Sequence, residues 1–480
     1  MHRSFAAVLA LFILAACGGE SRERTAQDAD QPLTEAEATD VDGSRLGTVL
    51  VAGTCSEAAE AHLERGLALL HSMTYEEAAK GFAAATEADP DCAMGYWGQA
   101  MTIVHPLWSD PPSAEAYQRG VELLAIAREK ASTDHELAYV EALAGYFDAG
   151  RSDLERPNLV AFEEGFGRLH EAWPDDPEGA AFYALAQLST VDPTDKTYRK
   201  QRQAGALAEQ VLASVPDHPG AHHYIIHAYD NPALSAGAVD AARGYSGVAP
   251  EIPHALHMPT HTFTRLGLWQ ESIDWNRRSA DAALKRPVGE ETSLHYFHAL
   301  DYLAYAFLQG AEDGRAVAVL EELEAVAPPY QPHLASAYTF AAVPARLSLE
   351  RHRWEEAADL EPRSPAAYPW DTAASSEAIT YFARALGAAR SGRFEQARAD
   401  LGTLAGLQEK VAASSPYWGT QVEIQRLSAL GWLQFEEGDL ETGLTTMHRA
   451  AEMEAGTDKH PVTPGEVLPA GELLADMLME

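Results

Sequence analysis

From about residue 57 to the end of the chain, apolar residues recur at helical spacing, and no stretch alternates well enough to make a strand. The clearest unit runs over residues 61–90. Gly66 sits early in one helix, Tyr75, Ala78, Phe82 and Ala85 line the next, and Asp89-Pro90 ends it. Turns further on carry Asp-Pro, Gly or Pro. The pattern predicts paired helices that are apolar on both sides and must stack on neighbours to bury those faces. The first residues follow another pattern. His2 and Arg3 precede an unbroken apolar run over residues 5–16, too short for a membrane span, which needs ~20 residues. Residues 18–46 have almost no large apolar side chains, so they predict a disordered tether.

A Gly or Ala where two helices touch, an aromatic beside it and a Pro at the stop resemble the tetratricopeptide repeat (TPR). The pattern returns after Pro90 in Ala93, Tyr96, Trp97 and Ala100. It returns again after Pro216 and Pro250, with Gly267, Trp269 and Ser272, and at residues 393–397 and 438–443. The resemblance implies an all-α, right-handed superhelical solenoid of about ten TPR-like helical hairpins over residues 47–455. It is strong at both ends and around 216–285, and weak at 133–215 and 330–372. Residues 456–480 read as a helix-breaking turn and a capping helix. In this superfamily the first helices line a concave groove, which implies a protein or peptide partner there. Cys55 and Cys92 each precede a first helix. Neighbouring repeats can bring them together as a disulfide, and two buried free thiols are the alternative.

The apolar run ends in Leu14-Ala15-Ala16-Cys17, followed by Gly18-Gly19, which resembles a bacterial lipoprotein signal. The resemblance implies a signal peptide at 1–16, lipid on Cys17, a tether at 17–46 and stable anchoring by several acyl chains. Gly after the Cys implies the outer membrane, with the body facing the periplasm. Composition adds an exclusion. With 35 Lys plus Arg against 72 Asp plus Glu, the net charge is −37, which repels phosphate backbones and argues against nucleic acid.

No G-x-G-x-x-G, phosphate loop, G-x-S-x-G elbow or H-E-x-x-H motif is present, and no catalytic residue is assigned. The histidines are the visible chemistry. His223/His227 and His257/His261 have the i,i+4 spacing that places two rings on one helical face, and the pairs repeat 34 residues apart. His254, His257, His261 and Arg265 form one stripe, which predicts a His-lined groove, although Pro259 must kink or start the helix there. His71 and His105 repeat at the same 34-residue interval. Residues 224–230 and 253–259 resemble a group of bacterial TPR proteins with such His-rich repeats. Three readings stand open. The rings are hydrogen-bonded helix residues, or they hold a divalent transition metal (zinc, copper or nickel) together with His298 or Asp301. The third is an organic or peptide ligand held by the histidines, Arg265, Tyr229 and Asp301. The aromatics Trp97, Trp108, Trp269 and Trp432 read as core. The function expected is an outer-membrane-anchored scaffold that binds a partner or ligand in its groove. The alternatives are a metal-binding protein or metal-dependent enzyme, and a glycan-binding lipoprotein with an exposed aromatic platform.

Overall fold

The computed structural model describes residues 45–51, 53–108, 110–148 and 155–480. The expected signal peptide, Cys17 and nearly all of the expected tether lie outside the described residues. Among the described residues the unit Ala38–Glu480 is all-α: its helices pair in sequence into ten hairpins, from Glu57–His71 with Tyr75–Ala88 to Pro416–Glu436 with Leu440–Ala455. Close contact within the first pair rests on two glycines. A Cβ on Gly81 would stand 2.9 Å from the Gly66 Cα, while Ala78, Phe82 and Ala85 are fully buried beside them. Cys55 and Cys92 are joined by a disulfide that ties the segment before the first hairpin to the start of the second.

The weakly patterned regions also form hairpins. Pro177–Ser189 pairs with Arg199–Ser214. The eighth hairpin is irregular: Leu334–Leu349 is followed by only Trp354–Ala358, and ion pairs from Arg363 to Asp371 and Glu377 fasten the chain that follows.

Docking begins earlier than the tether boundary at 46 suggests. Leu46 and Val49 are buried, the Thr48 N–H donates to Asp217 O and the Leu50 N–H to Glu178 Oε1. Gly47 makes this approach possible. Its φ is +80°, and a Cβ there would stand 2.3 Å from Asp217 O.

The first helices converge on one interior, but it is not an open groove. Leu294 through Ala304 of the helix Leu294–Gln309 is buried without a break, as expected of a helix apolar on all sides. Two non-helical stretches help fill the space. The connection after Ala93–Met101 brings in Trp108, which packs on His254, His298 and His333. The chain after Leu440–Ala455, read from sequence as a simple turn, threads inward. Lys459 Nζ meets Asp230 Oδ2 at 3.0 Å, and the Tyr302 hydroxyl donates to Thr463 O at 3.0 Å. Arg346 Nη2 donates to Gly465 O at 2.8 Å. Only then does Ala470–Met479 pack as a cap on the last hairpin.

Candidate functional site

His223 and His227 stand on the helix Pro219–Tyr229. Pro219 occupies the first turn, where an N–H would lack a partner, and the His218 ring accepts the Ala221 N–H at 3.0 Å. The second stripe is broken at Met258 into Pro253–His257 and Pro259–Arg265. Met258 keeps helical dihedrals, φ −53° and ψ −39°, so the turn continues past Pro259 and His254 and His257 do not fall into a loop. His298 comes from Leu294–Gln309.

These elements assemble two adjoining trios: His223, His227 and His254; and His257, His261 and His298. In each, three ring nitrogens lie within 4.8 Å of one another. Each i,i+4 pair thus recruits a third ring from another helix, and the two pairs do not merge into one four-ligand shell. The trios touch where the His227 and His261 ring centres stand 5.8 Å apart and those of His254 and His257 stand 6.1 Å apart. The stripe expected to line a groove is buried instead: all of these residues except the half-buried His227 are at most 2% exposed.

Hydrogen bonds assign the tautomers. The Asn276 amide nitrogen donates to Ser272 O at 2.9 Å, so its Oδ1 accepts from His257 Nδ1 at 2.7 Å. Asp230 Oδ2 accepts from His261 Nδ1 at 2.9 Å. Asp230 is ionised. Burial opposes its charge, but Lys459, Arg265 and His261 hold the carboxyl well below the usual range. With both Nδ1 atoms protonated, the Nε2 lone pairs of His257 and His261 face each other at 3.0 Å. In the other trio, His223 Nδ1 donates to His71 O at 2.6 Å. His223 Nε2, His227 Nε2 and both His254 nitrogens are buried without a hydrogen-bond partner. Burial lowers all six imidazole pKa values, His223 to about 3, so the rings are neutral and their lone pairs available.

This arrangement suits a metal. Tetrahedral ligands at ~2.0–2.1 Å from an ion stand about 3.3 Å from each other, close to the His257–His261 separation. Asp230 and Asn276 supply the hydrogen bonds that orient ligating imidazoles. A third cluster, His71, Glu178 and His218, is different because it is saturated. Glu178 accepts from His71 Nε2 at 2.7 Å and His218 Nε2 at 3.2 Å, Tyr224 OH bonds His71 Nδ1, and His218 Nδ1 caps a helix. It ties the first hairpin to the fourth and fifth.

Three expected site residues, Asp301, Arg265 and Tyr229, act elsewhere. Asp301 neither joins a trio nor braces one, because it faces Arg346 in a buried ion pair. Arg265 turns to Asp230, donating to Oδ1 at 2.8 Å. His105 lies apart, on Asp110. Tyr229 bonds Glu209 at 2.8 Å, away from the trios. Sequence reasoning missed Asp230 and Asn276 as braces. Asp230, three residues after His227, offered a signal, whereas Asn276 is one polar residue on a second helix and offered none.

No known family model matches the chain, and no curated protein sequence does. Among solved structures, the APC/C hetero-tetramer Cut9-Hcn1 is similar at 13% identity over 88% of this chain and 76% of that one, with a TM-score of 0.38. The human IFIT1 dimer with PPP-AAAA is similar at 15% identity over 83% and 73%, with a TM-score of 0.30. The TPR domain of P58(IPK) is similar at 12% identity over 88% and 97%, with a TM-score of 0.24. The helical-repeat fold itself stands on the pairing and packing of this chain's own helices.

Proposed function

We propose that this chain is a metal-binding helical-repeat protein, holding one transition-metal ion on each imidazole trio and anchored to the outer membrane through lipid on Cys17. The observation that carries the reading is the pair of Nε2 lone pairs facing at 3.0 Å beside buried ring nitrogens with no other partner. Neutral imidazoles left so cost free energy, which a shared cation recovers. All-imidazole sets suit zinc, copper or nickel. Three protein ligands leave a fourth position for water or an incoming molecule.

The other readings find less support. The interior that a peptide would enter is occupied by Trp108 and residues 458–465. The large exposed apolar side chains among the described residues are aliphatic, not the aromatic platform that glycan capture needs. Elemental analysis after reconstitution is expected to find one ion per trio. His257→Ala with His261→Ala should lose one ion while the helical circular-dichroism signal survives. A parent without metal ends the reading. Anchoring is tested separately: Cys17→Ala should release the protein from the membrane fraction, and unchanged fractionation refutes the lipid anchor.

A further inference from the structure

A cavity of about 440 Å³ reaches His227 of the first trio. Leu107, Leu188 and Val191 give it apolar walls, and the mostly buried Asp230 and Lys459 line it beside His227. His227 thus belongs both to the trio and to the cavity wall. We infer that this cavity is a ligand site for a small organic anion with an apolar body, whose anionic end takes the open position of the ion held by His223, His227 and His254. The inference rests on the metal reading above and adds the ligand class.

The charge of the interior selects that class. All six imidazoles are neutral donors, so an ion bound to a trio keeps its full positive charge. The carboxylates on the cavity wall are already matched. Asp230 meets both Arg265 and Lys459, and Asp458 meets Lys196 at 2.6 Å. Arg156, also on the wall, spends its guanidinium on the carbonyls of Thr190 and Val191. The metal therefore leaves positive charge at the buried end with no anion to balance it, and an incoming anion lowers that cost. The chain's net charge of −37 opposes this at long range. Its surface charges are screened over ~8 Å at physiological salt, so they slow the approach more than they weaken the bound state. The volume falls in the range of small-molecule pockets, roughly 300–1,000 Å³. Apolar walls reward a hydrocarbon body.

The test uses the full folded body loaded with copper or zinc, its metal content measured first. Calorimetric titration with benzoate should give a Kd about tenfold or more below that of acetate, and cyclohexylamine should not bind. Stripping the metal should weaken benzoate by about tenfold or more. Leu107→Trp and Val191→Trp, which fill the cavity from two separate loops, should each lose benzoate binding while retaining metal. Benzoate binding no better than acetate, binding indifferent to the metal, or either Trp variant binding like the parent with its metal in place overturns the inference but leaves the metal reading intact. If reconstitution loads no metal, both fall, and the elemental analysis shows it before any titration begins.

Discussion

What one nitrogen of a histidine can bind is decided by what the other nitrogen touches. His261 gives its Nδ1 proton to Asp230 and His257 gives its own to Asn276, so each turns an unprotonated Nε2 toward the other. Asn276→Leu removes the acceptor without adding charge. It is expected to weaken metal binding by about 10- to 100-fold, read by competition against a chromophoric chelator, because the His257 ring loses its orientation. An affinity equal to the parent's would show that Asn276 does not brace the ligand. Asp230→Asn reaches further, since it also leaves Lys459 and Arg265 without their shared counter-charge. The expected cost, read from urea unfolding, is roughly 3 to 5 kcal/mol of unfolding free energy. At this scale the histidines were legible because a 34-residue period repeats their pairing. The braces were not, because hydrogen bonds between helices leave no period in the chain. Asp301 misled because it follows His298 by less than one helical turn, and only packing reveals Arg346 as its partner.

Elements were legible where local rules and packing agree. The first and last hairpins show themselves through small residues at the contact and Pro or Gly at the turns, which are requirements of the hairpin itself. Residues 330–372 were obscure because the second helix shrinks to Trp354–Ala358 and the rest is held by tertiary bonds such as the Tyr368 hydroxyl to His333 O. Residues 458–468 were legible only in part, for a related reason. They break helix, as their prolines dictate, but their buried path is set by Asp230, Tyr302 and Arg346, far away in sequence. The disulfide acts at the same scale. It closes a loop spanning 37 residues, so Cys55→Ser with Cys92→Ser should lower the unfolding free energy by roughly 3 to 4 kcal/mol in the loop-entropy model. A urea midpoint that is the same with and without reductant would contradict the bridge.

Across the whole molecule, the interior holds many more titratable rings than the two trios use. His333 and His460 are half-buried and lie outside both trios. Burial lowers the first to about 4 and the second to about 3, from an ordinary 6.5. His295 falls to about 3 for the same reason. A ring whose folded pKa lies below its unfolded one binds fewer protons folded than unfolded. Stability therefore rises with pH between the two values, and is lost as pH falls from about 6.5 toward 3 or 4. Ordinary carboxylates titrate near 4, while Glu454, pushed up to about 7 by burial, opposes the trend, so the window from pH 6.5 to 5 reports the several buried histidines less that one carboxyl. Metal-free protein should lose stability steadily across that window, each buried ring contributing up to about 1.4 kcal/mol per pH unit. Bound metal favours the unprotonated rings and should shift the acid unfolding midpoint downward. Urea unfolding at several pH values, with and without reconstituted metal, measures both effects. A flat stability between pH 7 and 5 in the metal-free chain would mean the rings are not buried and neutral as described. Equal acid midpoints with and without metal would separate the buried histidines from any role as ligands.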